Sequence, residues 1–330
     1  MHDMNTAGLA GAGKHVLFLV PARLGDTLML SPALALLKQL KPDFSIDVLA
    51  VSPLAASVYQ HNPHCDNIYV ASEIQSPDDF IQAYDLLVAA HRDYKILELI
   101  DQFKKPVFLI EPADQRQAQA QQALNFIQYA FSDTQPKPEP IGYQLFPDTQ
   151  DQEYAARLLK GGGRFIGLHL GCHGINKKRS LLPWRKQKQH KKLWPLESFI
   201  CLAKQLEQQH PGYQLVLTGG DNEQHLADAF IKKIPNAINL VGKTNVLQLA
   251  AVMQRFSAYV CSDSGTMHVA CAMGIPVIAL FGPTNVRRTG PYPGAEFRHV
   301  IESEDLSELD PQAVLLAIEQ LLGHVHSSQI

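Results

Sequence analysis

The sequence contains few cysteines and no long apolar run. The five cysteines are odd in number and scattered, and no C-x-x-C pair occurs. This excludes a disulfide-stabilised secreted module and predicts reduced thiols in a cytoplasmic protein. No apolar run of about twenty residues is present, so no membrane-spanning helix is predicted. The first thirteen residues lack the cationic start and apolar centre of a signal peptide and are expected to form a loose tail.

Acidic residues are absent from one stretch of the chain. Between Glu153 and Glu197 there is none, although 11 of the 29 basic residues lie there. Eight of them fall in the segment 177–192, which predicts a strongly positive patch for an anionic partner. The residues proposed to make these contacts are Lys177, Lys178 and Arg179. A solvated loop is the alternative, and nucleic-acid binding is disfavoured because aromatic residues barely interleave the segment.

The order of apolar and polar segments predicts an α/β protein with two domains. The 330 residues are too many for one compact core. Strand-like and helix-like segments alternate throughout, which predicts parallel sheets of the doubly wound, Rossmann-like kind. The glycine run 161–163 indicates the joint, so we expect domains at 1–160, with 1–13 as a loose tail, and at 161–330.

Two adjacent strand–loop units stand out in the second half of the chain. The apolar runs Phe256 to Cys261 and Pro276 to Phe281 predict buried parallel strands. Polar, glycine-bearing loops follow them, and a helix is predicted from Thr266 to Met273. Ligands of open α/β sheets bind at the carboxyl ends of the strands, where a helix N-terminus suits a phosphate. On the residues alone, an ordinary capped strand–turn–helix is an equally good interpretation.

The same stretch resembles the C-terminal signature of the lipopolysaccharide heptosyltransferases, glycosyltransferase family 9. The pattern D-[ST]-G-x-M-H-x-A matches Asp263 to Ala270, and G-x-P-x-x-x-L-F-G-P-T matches Gly274 to Thr284. The resemblance implies a nucleotide-sugar site. The residues of the first motif that would bind the donor are Asp263, Ser264, Gly265, Thr266, Met267 and His268.

An N-terminal motif of this family also has a counterpart. The predicted strand His15 to Val20 is followed by Arg23-Leu24-Gly25-Asp26 and a helix expected from about Thr27 to Leu40, which resembles R-x-G-D before an apolar helix. By itself, Asp26 is typical of a carboxylate that caps a helix. The resemblance implies that Asp26 is the catalytic base and that Arg23 and Gly25 contact the acceptor or a phosphate.

Three further elements resemble the family. Lys192-Leu193-Trp194-Pro195 is similar to K-x-W-P, which implies that Lys192 contacts the diphosphate rather than being only a solvated lysine. A glycine loop ending in Glu223 follows a predicted strand. The resemblance implies that Glu223 holds the ribose hydroxyls, whereas alone it is typical of a first-turn glutamate. The remaining implied contacts are Gly219 and Gly220 to the donor, and Arg287 and Arg288 to the acceptor or a phosphate.

Together these matches imply a GT-B glycosyltransferase with two Rossmann-like domains facing across a cleft. The N-terminal domain would bind the lipopolysaccharide inner core, and the C-terminal domain would bind ADP-L-glycero-β-D-manno-heptose, with inversion at the transferred sugar. No D-x-D triplet occurs, so no metal site of that type and no cofactor beyond the donor are expected. A cytoplasmic enzyme in peripheral contact with the inner membrane is implied.

Three alternatives stay open at this stage. A non-hydrolysing sugar-nucleotide epimerase shares the two-domain form and would turn over a nucleotide sugar without an acceptor. A family 9 transferase with another nucleotide sugar would share all the motifs. A non-catalytic protein that binds anionic surfaces through the basic segment is the least favoured.

Overall fold

A computed structural model describes residues 13–101, 103–111, 114–132, 138–160, 163–171, 191–294 and 297–327. The chain separates into two compact units, 1–146 and 147–330, each with a parallel sheet of its own. Among the described residues, no helix is long and apolar enough to cross a membrane. Lys177, Lys178 and Arg179 lie outside the described residues, so their predicted contacts stay predictions.

The first unit contains a five-stranded sheet in the order β3-β2-β1-β4-β5. The strands are β1 His15–Val20, β2 Ser45–Ala50, β3 Asn67–Val70, β4 Leu86–Ala89 and β5 Val107–Leu109. The helices are α1 Leu24–Leu28, α2 Ser31–Leu40, α3 Pro53–Val58, α4 Pro77–Gln82, α5 Tyr94–Ile100 and α6 Gln119–Phe131. β1 is the first strand in sequence but lies between β2 and β4. The direction of chain progression therefore reverses at β1, where doubly wound sheets bind ligands.

The second unit contains a six-stranded sheet in the order β11-β10-β9-β6-β7-β8. Its strands are β6 Arg164–His169, β7 Tyr213–Thr218, β8 Ile238–Asn239, β9 Phe256–Ser262, β10 Val277–Phe281 and β11 Arg298–Glu302. Its helices are α7 Thr149–Leu158, α8 Leu196–Gln209, α9 Gln224–Ile231, α10 Val246–Met253, α11 Gly265–Ala272, α12 Val286–Thr289 and α13 Pro311–Ser327. Here the reversal lies between β6 and β9. This is the Rossmann strand order, so the predicted α/β fold class is confirmed.

The division between the units lies before α7, whereas the sequence suggested a joint after it, at the glycine run. Hydrogen bonds tie α7 to the second unit. The Gln152 amide donates to the Gln254 side chain at 2.6 Å, and the Tyr154 hydroxyl donates to the Lys243 carbonyl at 2.8 Å. An exposed glycine run indicates where a chain can bend, but packing of the preceding helix decides the unit to which that helix belongs.

The single helix expected after β1 is wrong, because the chain forms two short helices there. Pro32 has no N–H to donate to the Leu28 carbonyl, and its ring would clash with that carbonyl in a continuous helix. The Ser31 hydroxyl donates to the Leu28 carbonyl instead, at 2.8 Å. The interruption leaves α1 as a five-residue helix that carries Asp26.

Candidate functional site

The polar loops of the second unit meet at the carboxyl ends of its central strands. β6 pairs with β7 on one side and with β9 on the other. The segment after β7 carries Gly219, Gly220 and Glu223, and α11 begins immediately after β9. The two strands predicted to flank the motif are β9 and β10, and the predicted helix is α11. Gly219, Gly220, Glu223 and the segment 263–268 therefore follow the two strands that flank β6, next to the point where the strand order reverses.

Glu223 lies in a slot that two glycines leave open. A β-carbon at Gly171 would lie 1.7 Å from Glu223 Oε1, and one at Gly219 would lie 2.4 Å from Oε2. The Gly220 N–H donates to Oε2 at 2.9 Å, and His169 Nε2 lies 3.4 Å from Oε1. The carboxylate is therefore fixed by the strand ends of β6 and β7.

The electrostatics of this slot favour an ionised carboxylate. Burial acts to raise the pKa of Glu223. The interactions of its carboxylate with His169, the Gly220 N–H and the nearby His225 lower the pKa and together outweigh burial. The pKa therefore lies below its ordinary value. An ionised, buried carboxylate suits a ligand that offers hydroxyl donors.

A chain of buried hydroxyl groups lies beneath the two loops. The Thr218 and Tyr259 hydroxyls are 2.7 Å apart, and Tyr259 also bonds to Thr266. The Thr266 and Ser264 hydroxyls are 2.9 Å apart. Burial raises the pKa of Tyr259, so the phenol stays protonated and can donate along the chain. This connection joins the end of β7 to the first turn of α11.

The first turn of α11 offers backbone groups more readily than side chains. Ser264 is the N-cap in an extended conformation, and its side chain does not cap the helix. Met267 and His268 are buried at 0% and 3% exposure, although the sequence motif includes both in the predicted donor site. Burial lowers the pKa of the His268 imidazole to about 4, so it is neutral at pH 7. Asp263, in the loop between β9 and α11, and Gly265, the first residue of α11, are half-buried.

Lys192 is held in place by contacts of its backbone neighbours. The Lys191 carbonyl accepts from the Leu306 N–H at 3.1 Å, and the Trp194 indole donates to the Leu309 carbonyl at 3.0 Å. Trp194 is fully buried. Among the described residues, the Lys192 ammonium group has no carboxylate partner. Lys192 is therefore a cation at a fixed backbone position whose charge is available to a ligand.

Gly282, just after β10, allows the backbone at Lys191 and Lys192 to lie close to the sheet. A β-carbon on Gly282 would lie 2.5 Å from the Lys191 carbonyl oxygen and 3.2 Å from Lys192 Cα. The loop that contains Gly282 leads into α12, which carries the exposed Arg287 and the half-buried Arg288. The segment around Lys192 and the loop after β10 are thus neighbours, as the predicted donor site requires.

In the first unit, Asp26 is the third residue of α1, directly after β1. The N-cap of α1 is Arg23, and no side chain caps the helix. Within the described ranges the half-buried Asp26 carboxylate accepts no hydrogen bond and forms no ion pair. The backbone beneath it is fixed, because the Thr27 N–H donates to the Arg23 carbonyl and the Tyr59 hydroxyl donates to the Thr27 carbonyl. The structure therefore gives Asp26 no capping function, and Arg23 and Gly25 lie in the same loop.

Sequence reasoning did not identify His169 as a partner of Glu223. It considered His169 only as half of a metal pair with His173, which lies outside the described residues. A usable indication was its position at the last residue of β6, a central strand at the reversal point. Nothing in the sequence indicated the hydroxyl chain through Tyr259, because Tyr259 falls within an apolar run that predicts only a buried strand.

We predict that Gly282→Ala weakens the binding of ADP by roughly tenfold, because the added methyl group must displace the backbone at Lys191 and Lys192. Isothermal titration calorimetry with ADP measures the effect. Gly294→Ala is the matched control, since a β-carbon there meets nothing within 4 Å. Equal affinities for the two variants would show that the position of Lys192 does not matter for nucleotide binding.

We also predict that His268 makes the second unit sensitive to mild acid. Its pKa falls from 6.5 in the unfolded chain to about 4 in the fold. The unfolded chain therefore binds a proton first, and stability that is complete above pH 6.5 falls as the pH drops towards 4. The total loss is on the order of 3 kcal/mol.

His268→Gln should flatten this slope between pH 6.5 and about pH 5, where Glu223 contributes little. Denaturant unfolding followed by tryptophan fluorescence reports on this unit, since both tryptophans, Trp184 and Trp194, belong to it. The exposed His225→Gln is the control for the replacement of a histidine by glutamine elsewhere in the unit. An unchanged slope in His268→Gln would contradict the assignment.

Comparison with known proteins places the chain in a family. The model of glycosyltransferase family 9 (heptosyltransferase) matches residues 98–310. Lipopolysaccharide heptosyltransferase 3 of Escherichia coli (strain K12) is 26% identical over 335 residues, which cover 90% of this chain and 95% of that protein. Lipooligosaccharide heptosyltransferase 2 of Haemophilus influenzae is 34% identical over 105 residues, and the match spans only 30% of either chain.

The fold agrees with these matches. The solved structure of E. coli ADP-heptose lps heptosyltransferase II aligns with a TM-score of 0.76 at 21% identity, and it covers 94% of this chain and 99% of that one. The family match, over residues 98–310, covers more than half of the 330-residue chain. The chain therefore belongs to glycosyltransferase family 9, the heptosyltransferases of lipopolysaccharide core biosynthesis.

Proposed function

We propose that this protein transfers L-glycero-D-manno-heptose from its ADP-β-linked donor to a sugar of the lipopolysaccharide inner core, with inversion of configuration. The observations that support the proposal are that Glu223 and the start of α11 follow the two strands flanking β6, and that Lys192 adjoins Gly282 in the loop after the next strand, β10. A cation, a buried carboxylate and a helix N-terminus are the groups that a nucleoside diphosphate needs. The name of the E. coli enzyme of similar fold includes ADP-heptose, which supports the choice of donor.

In this proposal the donor is held at both ends of its ADP portion. Glu223 accepts hydrogen bonds from the ribose hydroxyls, within the slot formed by Gly171 and Gly219. Lys192 and the N–H groups around Gly265 and Thr266 bind the diphosphate. These groups also stabilise the negative charge that develops on the diphosphate as the bond to the sugar breaks. Arg287 and Arg288, which follow the loop after β10, add positive charge.

Asp26 serves as the general base in the proposed reaction. The acceptor hydroxyl attacks the anomeric carbon of the heptose, the bond from that carbon to the diphosphate breaks, and the hydroxyl proton passes to Asp26. A single displacement of this kind inverts the anomeric configuration. Within the described residues the Asp26 carboxylate accepts no hydrogen bond, which supports the assignment because its lone pairs are then available to the substrate. Arg23 and Gly25 contact the acceptor.

The acceptor carries phosphates and carboxylates and is attached to lipid, so the reaction belongs at the cytoplasmic face of the inner membrane. The basic segment 177–192 supplies the complementary charge for the acceptor or the membrane surface. Membership in a glycosyltransferase family decides against the epimerase alternative. A different nucleotide sugar remains the competing proposal, and it can be tested directly.

We predict that ADP stabilises the protein more strongly than UDP or GDP, because the proposed donor carries ADP. Thermal shifts at matched nucleotide concentrations measure the preference. AMP serves as the comparison that isolates the contribution of the second phosphate, and it should stabilise less than ADP. A larger shift with UDP or GDP would overturn the ADP-heptose donor while leaving the family and the fold intact.

We predict that Asp26→Asn lowers kcat on the order of 10²- to 10⁴-fold, because the amide keeps the shape but cannot accept the proton. The affinity for ADP should stay near the wild-type value, since the donor residues lie in the other unit. The matched control is Asp79→Asn, at the third position of the short helix α4 in the same unit, which should retain full turnover. An Asp26→Asn enzyme with near wild-type kcat would require a different base.

A further inference from the structure

Glu223 is held by protein donors on both of its oxygen atoms. The Gly220 N–H donates to Oε2 at 2.9 Å, and His169 Nε2 lies 3.4 Å from Oε1. Both side chains are nearly inaccessible, with 6% exposure for His169 and 10% for Glu223. The loop that carries Glu223 supplies the first contact itself, whereas the second comes from a different strand.

The histidine has one polar contact among the described residues, and that contact is Glu223. A carboxylate can only accept, so His169 Nε2 must carry the hydrogen that faces Glu223. His169 Nδ1 is buried without a hydrogen-bond partner in the described part of the chain. A buried polar atom without a partner costs free energy that an apolar residue at this position would avoid. The contact with Glu223 is therefore the feature that accounts for a histidine here.

The arrangement leaves a defined set of lone pairs for a ligand. Each carboxylate oxygen has two lone pairs, and the protein occupies one on each. The two that remain match the two hydroxyl donors of a ribose 2′,3′-diol. Rotation of the carboxylate would remove this match. The slot between Gly171 and Gly219 limits where the carboxylate can lie, and among the described residues His169 is the group that faces Oε1.

We propose that His169 is a positioning residue, which holds the Glu223 carboxylate in the orientation that binds the ribose diol of the donor nucleotide. The inference rests on the proposed function, since it takes Glu223 as the ribose ligand. His169 itself contacts neither the reacting atoms nor the acceptor. Its effect should consequently appear in nucleotide affinity and in the donor KM, not in kcat at saturating donor.

The test compares ADP with 2′-deoxy-ADP, which lacks one of the two hydroxyl groups. Calorimetry gives the ratio of the two dissociation constants for each protein. The wild type should prefer ADP by about tenfold, as expected for a hydrogen bond to a charged group. His169→Leu should bind ADP about tenfold more weakly than the wild type does. Its dissociation constants for ADP and 2′-deoxy-ADP should become nearly equal.

The conservative variant separates a donor function from simple packing. In His169→Gln the side-chain amide can place an N–H close to the position of the histidine Nε2, so the wild-type ratio should return. The donor KM of His169→Leu should rise in parallel with the dissociation constant, with kcat retained. A His169→Gln enzyme as impaired as His169→Leu would overturn the inference.

His210→Leu is the control for the loss of a histidine–carboxylate pair as such. His210 Nε2 lies 3.1 Å from Glu319 Oε1 in the same unit, between α8 and α13. Its removal should lower the melting temperature and leave the ADP to 2′-deoxy-ADP ratio at the wild-type value. A ratio altered equally by His210→Leu would mean that general destabilisation explains the result, which would overturn the inference.

Glu223→Ala distinguishes failure of this inference from failure of the proposed function. If Glu223→Ala loses the preference for ADP over 2′-deoxy-ADP but His169→Leu keeps it, the positioning function of His169 alone is overturned. If Glu223→Ala keeps the wild-type preference for ADP, Glu223 does not bind the ribose hydroxyls, and the inference about His169 is overturned as well. If UDP or GDP binds more tightly, that nucleotide and its 2′-deoxy form give the same comparison, because the ribose is shared.

Discussion

The parallel pairing of β6 with β7 and with β9 is the constraint on which the candidate donor site depends. These strands run in one direction, so their carboxyl ends meet at one edge. Because the strand order reverses at β6, the loops on either side diverge and leave room for a ligand above the strand ends. His169, Glu223 and the start of α11 are all placed by this pairing.

Buried polar groups then make the edge specific. Thr218, Tyr259, Thr266 and Ser264 form a connected chain of hydroxyl groups, and Glu223 is fixed by Gly220 and His169. In a region shielded from water, such contacts are stronger than at the surface, and each partner left unsatisfied is costly. The loops after β7 and β9 are therefore held in one arrangement before any nucleotide arrives. A site fixed in advance loses less entropy on binding.

Much of the fold could be predicted from the sequence, because β1, β9 and β10 are predominantly apolar runs of the kind that parallel sheets bury. β11 was not predicted, since Arg298 to Glu302 mixes charged and apolar residues at the edge of the sheet. The contact between His169 and Glu223 was equally out of reach. It joins residues that are far apart in sequence, and it depends on β-carbons missing at two glycines. Local patterns report which face of an element is buried, but they do not report which side chains meet.

The anchoring of Lys192 has a consequence for how this protein can change during evolution. The backbone at Lys191 is fixed by the Leu306 N–H and by close approach to Gly282, and Trp194 is fixed by the Leu309 carbonyl. These attachments all involve residues from Lys191 onward, at the C-terminal end of the basic segment. Changes of charge at positions 177–188 therefore leave these attachments of Lys192 to the sheet intact. The basic residues that precede Lys191 can then diverge towards new acceptors or new surfaces while the position of Lys192 is inherited unchanged.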